Sequence, residues 1–199
     1  MNRLKKKYNE QVIPALKERL GLKNNMAAPK ILKVTVNTGI GKYRQEEKVI
    51  EEIAKDLAAI TGQKAVFTQA KKAISSFKTR IGQPVGLKVT LRGTRMYDFI
   101  DRLISLALPR SRDFRGLSAS TVDRSGNLNL GIPEQIIFPE ISHEQVKSIF
   151  GLEVSATTNA KSQEEGMQLF KLMGFPLKSE ANETQKNPEK KLKNLRKFT

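Results

Sequence analysis

Between Asp56 and Asp98 the chain carries no acidic residue, yet this interval holds Lys64, Lys71, Lys72, Lys78, Arg80, Lys88, Arg92 and Arg95. Elsewhere acids and bases are interspersed, as on a solvated surface. A long stretch of one sign repels itself unless an anion neutralises it. The chemistry these residues offer is therefore recognition of a polyanion. The bland alternative is a basic loop without a partner, and it is disfavoured because the interval includes a core strand. The whole chain leans the same way, with 36 Lys and Arg against 20 Asp and Glu, a formal charge of +16. Composition alone leaves nucleic acid, an acidic membrane surface and an acidic protein open as partners.

Two alternating segments sharpen the choice. Ile31–Asn37 sets Leu32, Val34 and Val36 on one side and Lys33, Thr35 and Asn37 on the other. Val85–Arg92 sets Val85, Leu87, Val89 and Leu91 against Gly86, Lys88, Thr90 and Arg92. If both strands share a sheet, one face presents cations interleaved with short hydrogen-bonding side chains. Lys and Arg neutralise phosphates, while Thr and Asn reach phosphate oxygens and 2′-hydroxyls. An ordinary polar sheet face is a serious rival, because any half-buried strand has one. No aromatic falls on either polar side, so the pattern favours recognition of a folded RNA by shape over stacking along a single strand. Phe77, between Ser76 and Lys78, could stack on a base or anchor a loop.

Other chemistries find little support. With no Cys there is no disulfide or thiol nucleophile, and a single His, His143, builds no metal cluster. Gly39-Ile40-Gly41-Lys42 lacks the spacing of a phosphate loop and reads as a tight turn. Glu46-Glu47 and Glu164-Glu165 fall at helix N-termini, where acids complement the macrodipole. No base–nucleophile pair stands out, so a non-enzymatic protein without cofactor is expected. The basic segment Met1–Lys7 is not followed by a signal-like apolar stretch, and no run approaches the roughly 20 apolar residues of a membrane span. The cytosol is the expected compartment.

The elements that must position these residues follow from periodicity. Residues 3–20 read as a helix that Pro14 kinks and Gly21 ends. Residues 46–60 are amphipathic through Val49, Ile50, Ile53, Leu57 and Ile60, with Gly62 as the stop. A short strand at 64–68 leads into a basic stretch, 69–84, that reads as a long loop or loose hairpin. Thr94 is expected to cap a helix through Met96, Phe99, Ile100, Leu103 and Leu106, and Pro109 to close it. Residues 110–141 look irregular apart from a strand near 126–130. Ser142–Gln145 reads as a capping box for a short helix, 152–158 as a strand, and Ser162–Glu165 as a second capping box for a helix to Gly174. Residues 178–199, with seven Lys and Arg against three Glu, look like a flexible basic tail after a single domain at 1–177. The expected class is α+β, a mostly antiparallel sheet with helices on one face and a concave RNA-binding face on the other.

Several words in series resemble a known family. They are Val34-Thr35-Val36-Asn37-Thr38-Gly39-Ile40-Gly41, Gly62-Gln63-Lys64, Ala70-Lys71-Lys72, Ser76-Phe77-Lys78 and Leu87-Lys88-Val89-Thr90-Leu91-Arg92-Gly93. Pro109-Arg110-Ser111-Arg112-Asp113-Phe114-Arg115-Gly116-Leu117, Glu134-Gln135-Ile136-Ile137-Phe138-Pro139-Glu140-Ile141 and Glu164-Glu165-Gly166 continue the series. In this order, over about residues 2–177, the chain resembles the bacterial large-subunit ribosomal protein L-five family. Thr38 stands where many members carry Met, and the tail runs past the family's usual end.

The resemblance implies a protein that docks 5S rRNA in the central protuberance, beside 23S rRNA and the other large-subunit proteins of the 5S particle. Carried over by position, Asn37, Gln63, Phe77 and Thr90 resemble the family's 5S contacts. Lys33, Thr35, Lys88 and Arg92 join them from the strand faces. Lys71, Lys72, Ser75, Lys78 and Arg80 lie in what resembles the loop reaching P-site tRNA. Arg110, Arg112 and Arg115 resemble the intersubunit side facing small-subunit protein S-thirteen. The competing classes are a free-standing RNA-binding regulator or nucleic-acid chaperone, and a scaffold for acidic proteins.

Overall fold

The computed structural model describes residues 2–43, 46–112, 114–141 and 148–178. The capping box expected at 142–145, with His143, and the tail from 179 onward lie outside the described residues. Five strands form one antiparallel sheet in the order β2-β3-β1-β5-β4. They are β1 (Ile31–Gly39), β2 (Val66–Gln69), β3 (Pro84–Leu91), β4 (Leu128–Ile132) and β5 (Leu152–Thr158). The α+β class and the antiparallel sheet expected from the sequence are what is found.

Alternation builds this sheet. Val34, Val36, Leu87, Val89, Leu91, Leu128, Leu130, Ile132, Leu152, Val154 and Ala156 all enter one buried cluster with the apolar sides of the helices. Their neighbours on the opposite face stay partly or fully exposed, except Gly86, which is buried. Leu32 departs from the expected pattern: it is 46% exposed, and Ile31 takes the core place. The cause is a register shift against β5 between Ile31 and Lys33, which inserts one residue and turns Leu32 outward. The fourth strand also begins at Leu128 rather than near Gly126, because Gly126 serves a turn with φ +75°.

The two proline-containing helices share one device. The first comprises α1 (Arg3–Lys7), a π-turn at Tyr8–Val12 and α2 (Ile13–Leu20). The second comprises α4 (Gly93–Arg102), a π-turn at Leu103–Ala107 and α5 (Leu108–Arg110). In each, the residue just before proline donates its N–H five residues back, Ile13 to Tyr8 and Leu108 to Leu103. Proline lacks an N–H and its ring collides with the carbonyl four residues earlier. The wider turn accommodates the ring, so the helix passes through. Pro109 sits in the last turn, and the helix ends one residue beyond it at Arg110, close to the expected stop. Thr94 is not the cap; the helix starts at Gly93 behind Arg92.

The remaining helices follow their caps. α3 (Glu47–Thr61) buries Ile50, Ile53, Leu57 and Ile60 and ends on left-handed Gly62. α6 (Gln163–Met173) starts at Ser162, whose side chain accepts from the Glu165 N–H at 3.3 Å, and stops on left-handed Gly174. Arg102 ties these layers together by pairing with Glu140 and donating to the Ile60 carbonyl at 3.0 Å. Fully buried Gln135 donates to Ser148 O at 2.7 Å and accepts from the Phe150 N–H at 2.9 Å, pinning the entry to β5. Buried Tyr8 donates to Pro29 O at 3.0 Å. Burial, with Tyr97 nearby, pushes its phenol up to about 12, so it remains a donor at neutral pH.

The turn before β4 is held by a carboxylate. Asp123 accepts from the Asn127 N–H at 2.8 Å and from its side chain at 2.9 Å, while Asn127 Oδ1 accepts from the Thr158 N–H at 2.9 Å. Burial pushes the Asp123 carboxyl up, but the bonds from Asn127 and Ser125 outweigh this and hold it below its ordinary value. A depressed carboxyl stabilises the fold above its unfolded pKa of about 3.9, and this contribution is lost as pH falls through the folded value. In urea melts, Asp123→Ala is expected to be less stable than the parent at neutral pH, with the gap narrowing in acid. A gap that stays constant into strong acid would remove the carboxylate's charge from the account.

Candidate nucleic-acid interface

Pairing decides which polar side chains meet. β1 and β3 align Thr35 with Thr90 and Asn37 with Lys88. β1 and β5 align Lys33 with Thr157, Thr35 with Ser155 and Asn37 with Glu153. β4 adds Asn129 beside Ser155 and Gly131 beside Glu153. The face away from the helices is thus a polar field with two cross-strand rows at its centre. One row reads Thr90-Thr35-Ser155-Asn129, the other Lys88-Asn37-Glu153-Gly131. Arg92 and Lys33 extend the field toward one end.

Six of the residues expected to bind rRNA therefore share one face: Lys33, Thr35, Asn37, Lys88, Thr90 and Arg92. Gln63 borders it, its amide donating to the Thr90 carbonyl at 3.3 Å. Phe77 stands apart on the long hairpin and is 67% exposed, so it does not fill the role of a buried loop anchor. The sequence reading missed Asn129, Glu153, Ser155 and Thr157. The alternation of β5 marks three of them as outward, but only the pairing reveals that β5 adjoins β1. Ser155 donates to Asn129 Oδ1 at 2.7 Å, which fixes the pair across the strands.

The electrostatics suit an anion. The ion pairs among the described residues are Arg3–Asp101, Lys6–Glu10 and Arg102–Glu140. None involves Lys33, Lys88 or Arg92, so these cations keep their charge for an incoming ligand. Among the described residues this face holds no aromatic side chain; Val66, opposite Lys88 on β2, is its apolar margin. Such a surface can neutralise phosphates and hydrogen-bond riboses but offers no ring on which to stack bases.

The basic stretch 69–84 is better ordered than a long loop. Ala70 N donates to Gln83 O at 2.9 Å and Gly82 N to Ala70 O at 3.0 Å. Ile74 and Thr79 exchange backbone bonds at 3.1 Å around a 3-10 turn, Ser75–Phe77. Lys78 closes that turn at φ +49°, the one non-glycine residue at positive φ among those described. The result is a hairpin extension of β2 and β3 that exposes Lys71, Lys72, Ser75, Lys78 and Arg80. It also exposes Ile74, Phe77 and Ile81.

Arg110, Arg112 and Arg115 gather elsewhere. Arg110 and Arg112 line a cleft of about 260 Å³ with Pro133, Glu134, Ile136 and Ile137. Arg112 and Arg115 border a second hollow with Lys178 beside the β4 edge. Leu117 and Leu177 bridge in parallel at its wall. Among the described residues no group of three or more His, Cys, Asp or Glu converges, and no helix is long and apolar enough to cross a membrane.

Comparison with known proteins places this architecture. The family model described as "Ribosomal protein L5" matches residues 24–80, and the model of the same family's C-terminus matches residues 84–177. The large ribosomal subunit protein uL5 of Chloroflexus aggregans is 51% identical over 176 residues, covering 88% of this chain and 98% of that protein. The uL5 of Francisella tularensis subsp. novicida is 52% identical over 179 residues, 90% of this chain and 100% of its own length. With both family models in sequence order and half the residues identical across nearly the whole of these relatives, the chain belongs to the ribosomal protein L5 family.

Proposed function

We propose that the chain is a structural constituent of the large ribosomal subunit whose open sheet face holds 5S rRNA in the central protuberance. The large-subunit role comes with the family, and with it a place in the ribosome, in the cytoplasm, and a task of binding RNA rather than catalysis. The observation that carries the 5S reading is the face itself: Lys33, Lys88 and Arg92, in none of the ion pairs among the described residues, around Thr35, Asn37 and Thr90, with no described aromatic side chain on that face. That surface suits a folded RNA presenting backbone. The exposed basic hairpin is the part free to reach a second RNA, read here as P-site tRNA. The arginine-lined end at Arg110, Arg112 and Arg115 is read as the side toward small-subunit protein S-thirteen. 23S rRNA and the other proteins of the 5S particle complete the surroundings.

Titrating 5S rRNA against the purified protein over a series of salt concentrations tests this. Lys33→Ala, Lys88→Ala and Arg92→Ala should each reduce the log–log salt slope by about one unit and weaken binding roughly fivefold near 0.1 M salt. Lys48→Ala and Lys55→Ala serve as controls, since both side chains are exposed on α3, which packs on the opposite side of the sheet. Unchanged slopes for all three face variants would move the RNA site off the sheet.

A further inference from the structure

On a face built to meet phosphates, one carboxylate stands out. Glu153 is exposed on β5 between Asn37 of β1 and Gly131 of β4, in the row that begins with Lys88. It forms none of the ion pairs found among the described residues. Nor is it one of the carboxylates that hold a helix N-terminus or a turn, as Glu165 and Asp123 are. Facing phosphate it would be purely repulsive.

The surface beside it is bare. Glu153 borders a depression of about 450 Å³ lined also by Asn37, Thr38, Gly39, Gly131, Pro133 and Gly151. A Cβ added at Gly39 or at Gly131 would meet nothing within 4 Å, so the backbone there lies open to a ligand. Neither glycine stands at positive φ, so the backbone conformation does not require them. A sheet face that lacks side chains at one end can let a flat group lie against the backbone, with the neighbouring carboxylate at its edge.

A carboxylate at neutral pH accepts hydrogen bonds and donates none. In RNA, the group that offers it two parallel donors is the Watson–Crick edge of guanine, through N1–H and the N2 amino group. RNA recognition reads such edges where a base is unpaired and turned out of its stack. We infer that Glu153 is a specificity residue that accepts from the base edge of an unpaired guanosine seated on the Gly39/Gly131 shelf of the sheet. This rests on the reading of the open face as the 5S docking surface, and it adds base selection to what is otherwise backbone recognition.

The sign of one substitution separates the idea from simple electrostatics. Removing an acid from a phosphate-binding face should tighten binding to any RNA. If Glu153 holds a guanine edge, Glu153→Ala and Glu153→Gln should instead weaken 5S rRNA binding by about tenfold, the worth of one bidentate base contact. Both should leave binding to a scrambled RNA of equal length unchanged or slightly tighter. Gly131→Val, which fills the shelf from an open position, should weaken 5S binding alike. Scanning 5S guanosines with inosine, which lacks the N2 amino group, should find a position that weakens the parent protein and is silent in Glu153→Ala. Tighter or unchanged 5S binding by Glu153→Ala would overturn the assignment. So would a 2′-deoxy substitution, rather than inosine, accounting for the loss, because the carboxylate would then hold a ribose. Failure of the parent protein to bind 5S rRNA at all would sink the docking reading itself, and that is read separately from the ratio of variant to parent.

Discussion

Gly166→Ala is expected to destabilise the fold by about 3 kcal/mol, which for a chain of this length lowers the melting temperature by roughly 6–12 °C. Gly166 lies in the first turns of α6 and is buried. A Cβ there would sit 2.5 Å from the Gly126 Cα and 2.6 Å from its carbonyl oxygen. Both contacts are with backbone, so no flexible side chain can move aside. The helix and the Asp123–Asn127 turn would have to separate, and that turn also holds Thr158, whose hydroxyl donates to Gly126 O at 2.8 Å. The approach works only with hydrogen on both Cα atoms; Gly126 additionally stands at φ +75°. Gly39→Ala is the matched control, because its Cβ would point into open space. Chemical denaturation of both variants decides the matter. An unchanged midpoint for Gly166→Ala would mean that the backbone yields and the contact is loose.

That contact also marks a limit of sequence reading. Glu164-Glu165-Gly166 was recognisable as a family word and Ser162 as a cap, yet nothing in the spacing reveals that Gly166 meets Gly126, far back along the chain. Local periodicity carried what is local. The alternation of β5 and the inward sides of β3 and α3 were legible because period two and period 3.6 say which side chains share a face. Leu32 was misplaced because a bulge resets that alternation, and bulges come from the partner strand. Pro109 marks the helix end to within one residue, because the preceding π-turn takes its ring into the last turn and the helix stops at Arg110.

The candidate site was legible to the same degree. Lys33, Thr35, Asn37, Lys88, Thr90 and Arg92 were found because each strand announces its polar side and the acid-free interval drew the eye to β3. Ser155, Asn129, Thr157 and Glu153 were missed because strand order is a tertiary fact. β5 lies beside β1 despite its distance along the chain, and only the hydrogen-bond register places Glu153 against Asn37. The one acid in the two central rows was thus invisible to a count of cations.

Replacing Lys71, Lys72 and Arg80 together by Ala is expected to leave 5S rRNA in the large subunit while weakening P-site tRNA retention by roughly two orders of magnitude near 0.1 M salt, from three lost phosphate contacts of about fivefold each. The three side chains are exposed on the hairpin that continues β2 and β3 past the sheet edge. Its backbone is already closed by the Ala70–Gln83 and Ile74–Thr79 bonds, so the variant keeps the scaffold and removes only charge. Pre-ordering also reduces the entropy lost on binding, which lets a few contacts count. Lys78 is left in place because its positive φ makes any substitution there a backbone experiment as well. Phe77→Ala is expected to behave differently and to impair 5S incorporation, since its assigned role is at the 5S surface. Its place at the hairpin tip, away from the sheet rows, makes that contrast a demanding one. The measurement is tRNA affinity and 5S content on purified ribosomes carrying each variant. If the triple variant lost 5S rRNA, the hairpin would belong to the docking face. If it lost neither RNA, its cations would be a solvated surface, and the acid-free interval would owe its function to the sheet strand alone.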